Sequence, residues 1–166
     1  MKTLRNILVP VFLLACIING QVTNAQKTPS AKQISIRNAV DSQQFVFKAQ
    51  YASPAGGRQR FLTSEYVVMV SKDTVLSDLP FFGRAYSAPL DPTDAGIKFT
   101  SSDFYYDRSI RKKGGWIITI KPKDTRDVQQ LTLTIFDNGS ASLQVLSNNR
   151  QPISFSGTVA AKKQKT

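Results

Sequence analysis

The chain has 166 residues and is 41% hydrophobic, with one Trp, five Tyr and ten Phe. That is enough apolar surface for one core, so the bulk of the chain should fold. With no histidine and one cysteine, Cys16, it lacks the usual zinc ligand, the usual general base and any Ser-His or Cys-His nucleophile. A formal net charge of +11 would ordinarily suggest nucleic acid or an anionic surface.

The distribution of that charge argues against nucleic acid. Lys2 and Arg5 sit near the start, Lys27 and Lys32 follow, and Lys162, Lys163 and Lys165 end the chain. Between Gln33 and Ala160 there are 15 basic and 11 acidic residues, so most of the surplus lies in the terminal segments.

Residues 1–25 read as a signal peptide. Lys2 and Arg5 form its positive start, and Ile7 to Ile18 form an apolar run too short to span a bilayer. Thr23 and Ala25 supply small residues for cleavage before Gln26. The expected location is therefore the periplasm or the exterior. A second reading takes Leu13-Leu14-Ala15-Cys16 as a lipobox that would anchor the protein through a lipidated Cys16. Ile17 and Ile18, which continue the apolar run, favour the first reading. No later segment approaches the length of a membrane span.

Residues 26–32 are expected to be flexible, 33–160 to form a single β-rich domain, and 161–166 to be a basic tail. Ile34, Ile36, Ala39 and Val40 fit a short helix over Ala31 to Ser42. From Gln44 to Ala52, Phe45, Phe47, Ala49 and Tyr51 alternate with polar residues, as a half-buried strand requires. Tyr66-Val67-Val68-Met69-Val70 has no polar face, which points to a central strand covered on both sides. Thr74 to Leu79 is a short strand, and Ala88 to Gly96 reads as a loop.

Facing residues on paired strands share a side of the sheet, and this parity selects hairpin registers. A three-residue loop, Asp137-Asn138-Gly139, pairs Ile135 with Ala141, Leu133 with Leu143 and Leu131 with Val145. It predicts a type I turn with Gly139 left-handed and a G1 bulge. An odd-length loop within Arg111 to Gly115 puts Ile110 and Trp116 on one face with Ile118 and Ile120. Ile153 to Val159 supplies the last strand, where Gly157 marks a bulge or a close backbone approach. The expected fold is mostly β: an antiparallel sandwich or incomplete barrel of about eight strands with a short N-terminal helix.

Few residues carry chemistry. Asp91-Pro92-Thr93-Asp94 lacks the carboxylate alternation of a calcium loop, and no metal or cofactor is expected. Asp103 and Asp107 are about 13 Å apart along a strand, a poor glycosidase pair. Phe104-Tyr105-Tyr106-Asp107-Arg108 interleaves aromatic and basic residues, which ordinary strand chemistry also explains. Leu79-Pro80-Phe81-Phe82-Gly83-Arg84-Ala85-Tyr86 fits neither strand nor helix cleanly. Its bend either plugs one end of the fold or presents Arg84 and Tyr86 to a polar or anionic ligand beside an apolar wall.

That segment, together with Phe45-Val46-Phe47-Lys48-Ala49, Gly96-Ile97-Lys98-Phe99, Asn138 to Leu143, Asn149-Arg150-Gln151 and Ile153 to Gly157, resembles the exported bacterial family called domain of unknown function 4251. Phe81 and Phe82 depart from it where a Tyr is expected in at least one position. The resemblance implies no activity and no site residues. On the residues alone, the first expectation is a non-catalytic module that binds an unidentified envelope ligand or protein near Phe82, Arg84, Tyr86 and Arg150. The alternatives are a carboxylate-based hydrolase of envelope polymers and a purely structural assembly component.

Overall fold

A computed structural model describes residues 29–86 and 96–162. The leader with Cys16, the Asp91-Pro92-Thr93-Asp94 loop and the last four residues lie outside the described residues. No helix among the described residues is long and apolar enough to cross a membrane.

Helix α1 spans Ala31–Asp41, one residue short of the predicted end. Ser30 starts it with a reciprocal capping box: the Gln33 N–H donates to Ser30 Oγ, and the Ser30 N–H donates to Gln33 Oε1. Ile36, Ala39 and Val40 are buried, whereas Ile34 remains 49% exposed, so the apolar stripe is narrower than expected. The Ser42 cap and Gln43, with φ of 55°, turn the chain out of the helix.

Nine strands follow: β1 Phe45–Pro54, β2 Arg60–Val70, β3 Val75–Leu79, β4 Ile97–Ser101, β5 Phe104–Ile110, β6 Trp116–Pro122, β7 Val128–Ile135, β8 Ser140–Ser147 and β9 Ile153–Ala161. They form one sheet in the order β4-β3-β2-β1-β9-β8-β7-β6-β5. Every pairing is antiparallel, so the two edge strands point the same way. Only Ser102 and Asp103 separate β4 from β5 in the chain. The two edges are therefore halves of one bent strand, zipped to β3 on its first half and to β6 on its second. This bend curls the sheet into a nearly closed barrel, and counting β4 and β5 as one strand recovers the expected eight.

Both hairpin registers match parity. Ile135 pairs with Ala141, Leu133 with Leu143 and Leu131 with Val145. The Gly139 N–H donates to Phe136 O, the Phe136 N–H to Ser140 O, and Gly139 has φ of 85°, the geometry of the predicted turn and bulge. Ile110 pairs with Trp116 across the five-residue loop 111–115.

The buried side chains form one cluster that fills the barrel, with Phe45, Phe47 and Phe155 at its centre and α1 laid across one mouth. An eight-stranded barrel is just wide enough for side chains to fill, so the interior is a core rather than a ligand cavity. One expectation needs correction. Val68 and Val70 are buried, but Val67 and Met69 are only half-buried, because a sheet curled on itself leaves its outer face without a second layer. The middle of the sheet order is β9, and β2 lies third from an edge.

Candidate functional site

The segment after β3 closes the mouth opposite α1. Pro80 has no N–H and stops the ladder after buried Leu79. Phe81 and Phe82 then pack, partly buried, against the core. The two rings plug this mouth, and Arg84 is exposed beside them. Gly83 lets the Phe81 ring fold back over it, since a Cβ there would lie 2.7 Å from the ring tip. Beyond it the chain is stitched to the β8–β9 connection. The Gln151 N–H donates to Arg84 O at 3.0 Å, the Tyr86 N–H to Asn149 O at 2.7 Å, and Ala85 bridges Arg150.

Of the four predicted residues, Phe82 and Arg84 line one depression of 450 Å³ with Pro54, Gly56, Gly57, Gly83 and Gln151. The Arg60 guanidinium stacks over the Phe82 ring at 5.0 Å. Arg84 is exposed, and none of the described carboxylates pairs with it. Tyr86 stands on the rim, 70% exposed.

Arg150 goes elsewhere. Its side chain is 13% exposed, its Nε lies 3.0 Å from Asp127 Oδ2, and its Nη1 donates to Gly96 O at 2.7 Å. The guanidinium also stacks over Phe81 at 5.2 Å. It spans the gap between the free side of β4 and the β6–β7 turn, where a depression of 380 Å³ lies. Arg150 thus clasps the barrel seam beside the mouth. Sequence reasoning missed the partners Pro54, Gly57, Arg60 and Gln151, because they are scattered along the chain and no local pattern joins them.

The carboxylates are dispersed. Asp103 lies 3.2 Å from Lys123 Nζ, Asp41 pairs with Arg108, Asp78 with Lys98, and Asp107 is exposed on β5. Two carboxylates, Asp124 and Asp127, do share the seam depression, but both are engaged. The Ser101 hydroxyl and the Ser102 and Asp103 N–H groups hold the Asp124 carboxyl down to about 2. No group of three or more metal-ligating side chains occurs among the described residues.

The aromatic segment of β5 splits across the sheet. Phe104 and Tyr106 pack inward, whereas Tyr105 is 52% exposed, so no stacking platform forms there. The Tyr106 hydroxyl is buried without a hydrogen-bond partner among the described residues. Burial, offset in part by Arg108 and reinforced by Asp41, pushes its pKa up to about 12. A raised pKa means that the folded state holds this proton more tightly than the unfolded chain does. Its contribution is complete below pH 10 and is lost as the pH rises through about 12. Tyr106→Phe should be neutral or stabilising at neutral pH, because it removes an unsatisfied hydroxyl. It should also flatten the alkaline loss of stability. Urea denaturation from neutral pH to pH 12 checks both, and a marked loss at pH 7 would show that the hydroxyl has a partner.

Against this geometry, the sequence profile of a family described as domain of unknown function (DUF4251) matches residues 27–159. The chain belongs to the DUF4251 family. A crystal structure of a DUF4251 family protein from Bacteroides eggerthii DSM 20697, at 1.95 Å resolution, superposes with a TM-score of 0.58. The two share 21% identity, over 78% of this chain and 87% of that one, which establishes the common DUF4251 fold. No curated protein matches the chain. Within the DUF4251 domain, the quoted Asn149-Arg150-Gln151 motif now has a structural reading: it stitches the mouth segment down and clasps the seam.

Proposed function

We propose that the protein is an exported, non-catalytic binding module that takes an anionic group of a ligand or partner at the Phe82–Arg84 mouth. The observation that carries this reading is an exposed arginine, with no carboxylate partner among the described residues, set beside an aromatic wall in a depression floored by glycines. An arginine fork gives directional recognition of carboxylate or phosphate, and small residues let such a group approach the backbone. The leader-like start of the chain supports export. The filled barrel supports recognition at a mouth rather than in a lumen.

The hydrolase alternative needs two carboxyl groups in one cleft with one pKa raised. Asp124 and Asp127, which share the seam depression, are both tied up, and Asp124 is shifted the wrong way for a general acid.

Native mass spectrometry of protein purified gently from its own envelope fraction is the first test. A retained anionic small molecule or a co-purifying partner is expected, and Arg84→Ala with Tyr86→Ala should release it without lowering the melting temperature. Full retention by that folded double variant removes the mouth from the reading. An N-terminus at Gln26 would support soluble export, and an acylated Cys16 would replace it with a lipid anchor.

A further inference from the structure

A second surface lies at the opposite end of the barrel, where β1 begins rather than ends. Three elements meet there: the first half of α1, the 111–115 loop and the β7–β8 turn. Pro29, Lys32, Ile34, Arg37, Trp116 and Asn138 are among the residues around one depression of 770 Å³. The 111–115 loop sits against the β7–β8 turn, because a Cβ on Gly115 would approach Phe136 Cα to 3.1 Å. The Arg111 guanidinium stacks on the Phe136 ring at 4.5 Å.

This end combines two features that conflict unless something covers them. Three of its apolar side chains are exposed: Ile110 by 79%, Ile34 by 49% and Phe136, under the Arg111 guanidinium, by 38%. Ile110 is the anomaly, since its pairing with buried Trp116 puts it on the inward face, yet it lies beyond the rim. Around these side chains stand Lys32, Arg37, Arg111, Lys112 and Lys113, with Asp137 as the one carboxylate in the three segments.

We propose that this end docks on an anionic lipid bilayer. Five cations on one rim complement a negatively charged surface, and basic residues near such a surface each strengthen partitioning by about fivefold. A hydrated polyanion would gain little from the bare Ile110 and Ile34. The interfacial region of a bilayer accepts apolar side chains at its boundary while the lysines stay among the headgroups. Docking at this end would leave the Phe82–Arg84 mouth facing away from the membrane.

Co-sedimentation of the protein as the cell processes it, with phosphatidylglycerol-containing and with pure phosphatidylcholine vesicles, tests the proposal. Comparing variants that share one N-terminus isolates this surface from any lipid anchor. Tight binding to the anionic vesicles is expected. Lys112→Glu with Lys113→Glu should weaken it by at least about tenfold, and Ile110→Ser by about tenfold. Arg84→Ala should bind vesicles as the wild type does, which separates this surface from the mouth. Melting curves establish that the variants are folded. Equal binding to both vesicle types, or wild-type binding by the charge-reversed variant, would overturn the proposal. Competition by soluble polyphosphate with no effect of Ile110→Ser would point to a polymer instead. A concentration-dependent dimer abolished by Ile110→Ser would point to a second copy, and either result refutes bilayer docking.

Discussion

Replacing Arg150 with alanine is expected to destabilise the protein by about 3 kcal/mol, the bottom of the range for breaking a buried ion pair by removing one partner, because the Arg150 side chain is 13% exposed and that of Asp127 32%. The loss has three sources. Asp127 is left in a partly desolvated seam without its cation, the Gly96 carbonyl loses its donor, and the Phe81 ring loses the guanidinium over its face. Asp124 and Lys123 already tie the β6–β7 turn to the β4–β5 bend through Ser102 and Asp103, so the seam should loosen first at its Gly96 end, which Arg150 holds. For a chain of this size the melting temperature should fall by about 6–12 °C. Arg150→Lys should recover only part of the loss, because a point charge cannot serve the carbonyl and the carboxylate with the geometry of a planar fork. Thermal melts of the three proteins check this. A shift of less than about 2 °C in Arg150→Ala would mean that the clasp contributes no more than a surface pair. The same result would restore Arg150 as a candidate ligand contact.

Gly157→Ala should cost at least as much, about 3 kcal/mol, by overpacking rather than by loss of a contact. Gly157 lies opposite Ala49 on β1 and Ala141 on β8, in the middle strand of the sheet. A Cβ there would run into the Lys48 carbonyl oxygen and press on Ala49 Cα. Backbone on that side cannot swing away as a flexible side chain would. Beside it the ladder slips at Gln50, between the Ala49 and Tyr51 pairs, so the missing side chain and the bulge occur at one place. The β1–β9 ladder would have to open to admit even a methyl group, and Gly157→Val should leave little folded protein. Urea unfolding should show a lower midpoint at an unchanged slope. A Gly157→Ala stability within about 1 kcal/mol of the wild type would show that β1 can shift outward at low cost.

These two sites also divide what could be read early from what could not. Gly157 is legible in the sequence because a glycine inside an alternating strand pattern needs a backbone reason, and its close approach to β1 supplies one. In the sequence alone, Arg150 stands beside Arg84 as a candidate ligand contact. Its partners, Asp127 and Gly96, lie in other elements, and no local pattern announces an ion pair across a seam. The exposure of Ile110 was hidden for a related reason. Parity correctly put it on the inward face, but parity does not say where the barrel rim falls.

By itself, the sequence determined the strands, both hairpin registers, the short helix and the scarcity of catalytic residue types. Those properties follow from period-2 alternation, turn chemistry and composition, all of which act between near neighbours or within single residues. Only the tertiary structure decided that β4 and β5 are one bent strand, that the barrel is filled, that Arg150 closes its seam and that Arg84 remains outside. Each of these depends on how far the sheet curls before its edges meet. That curl sums small twists over every strand pair, and no single segment of the chain records it.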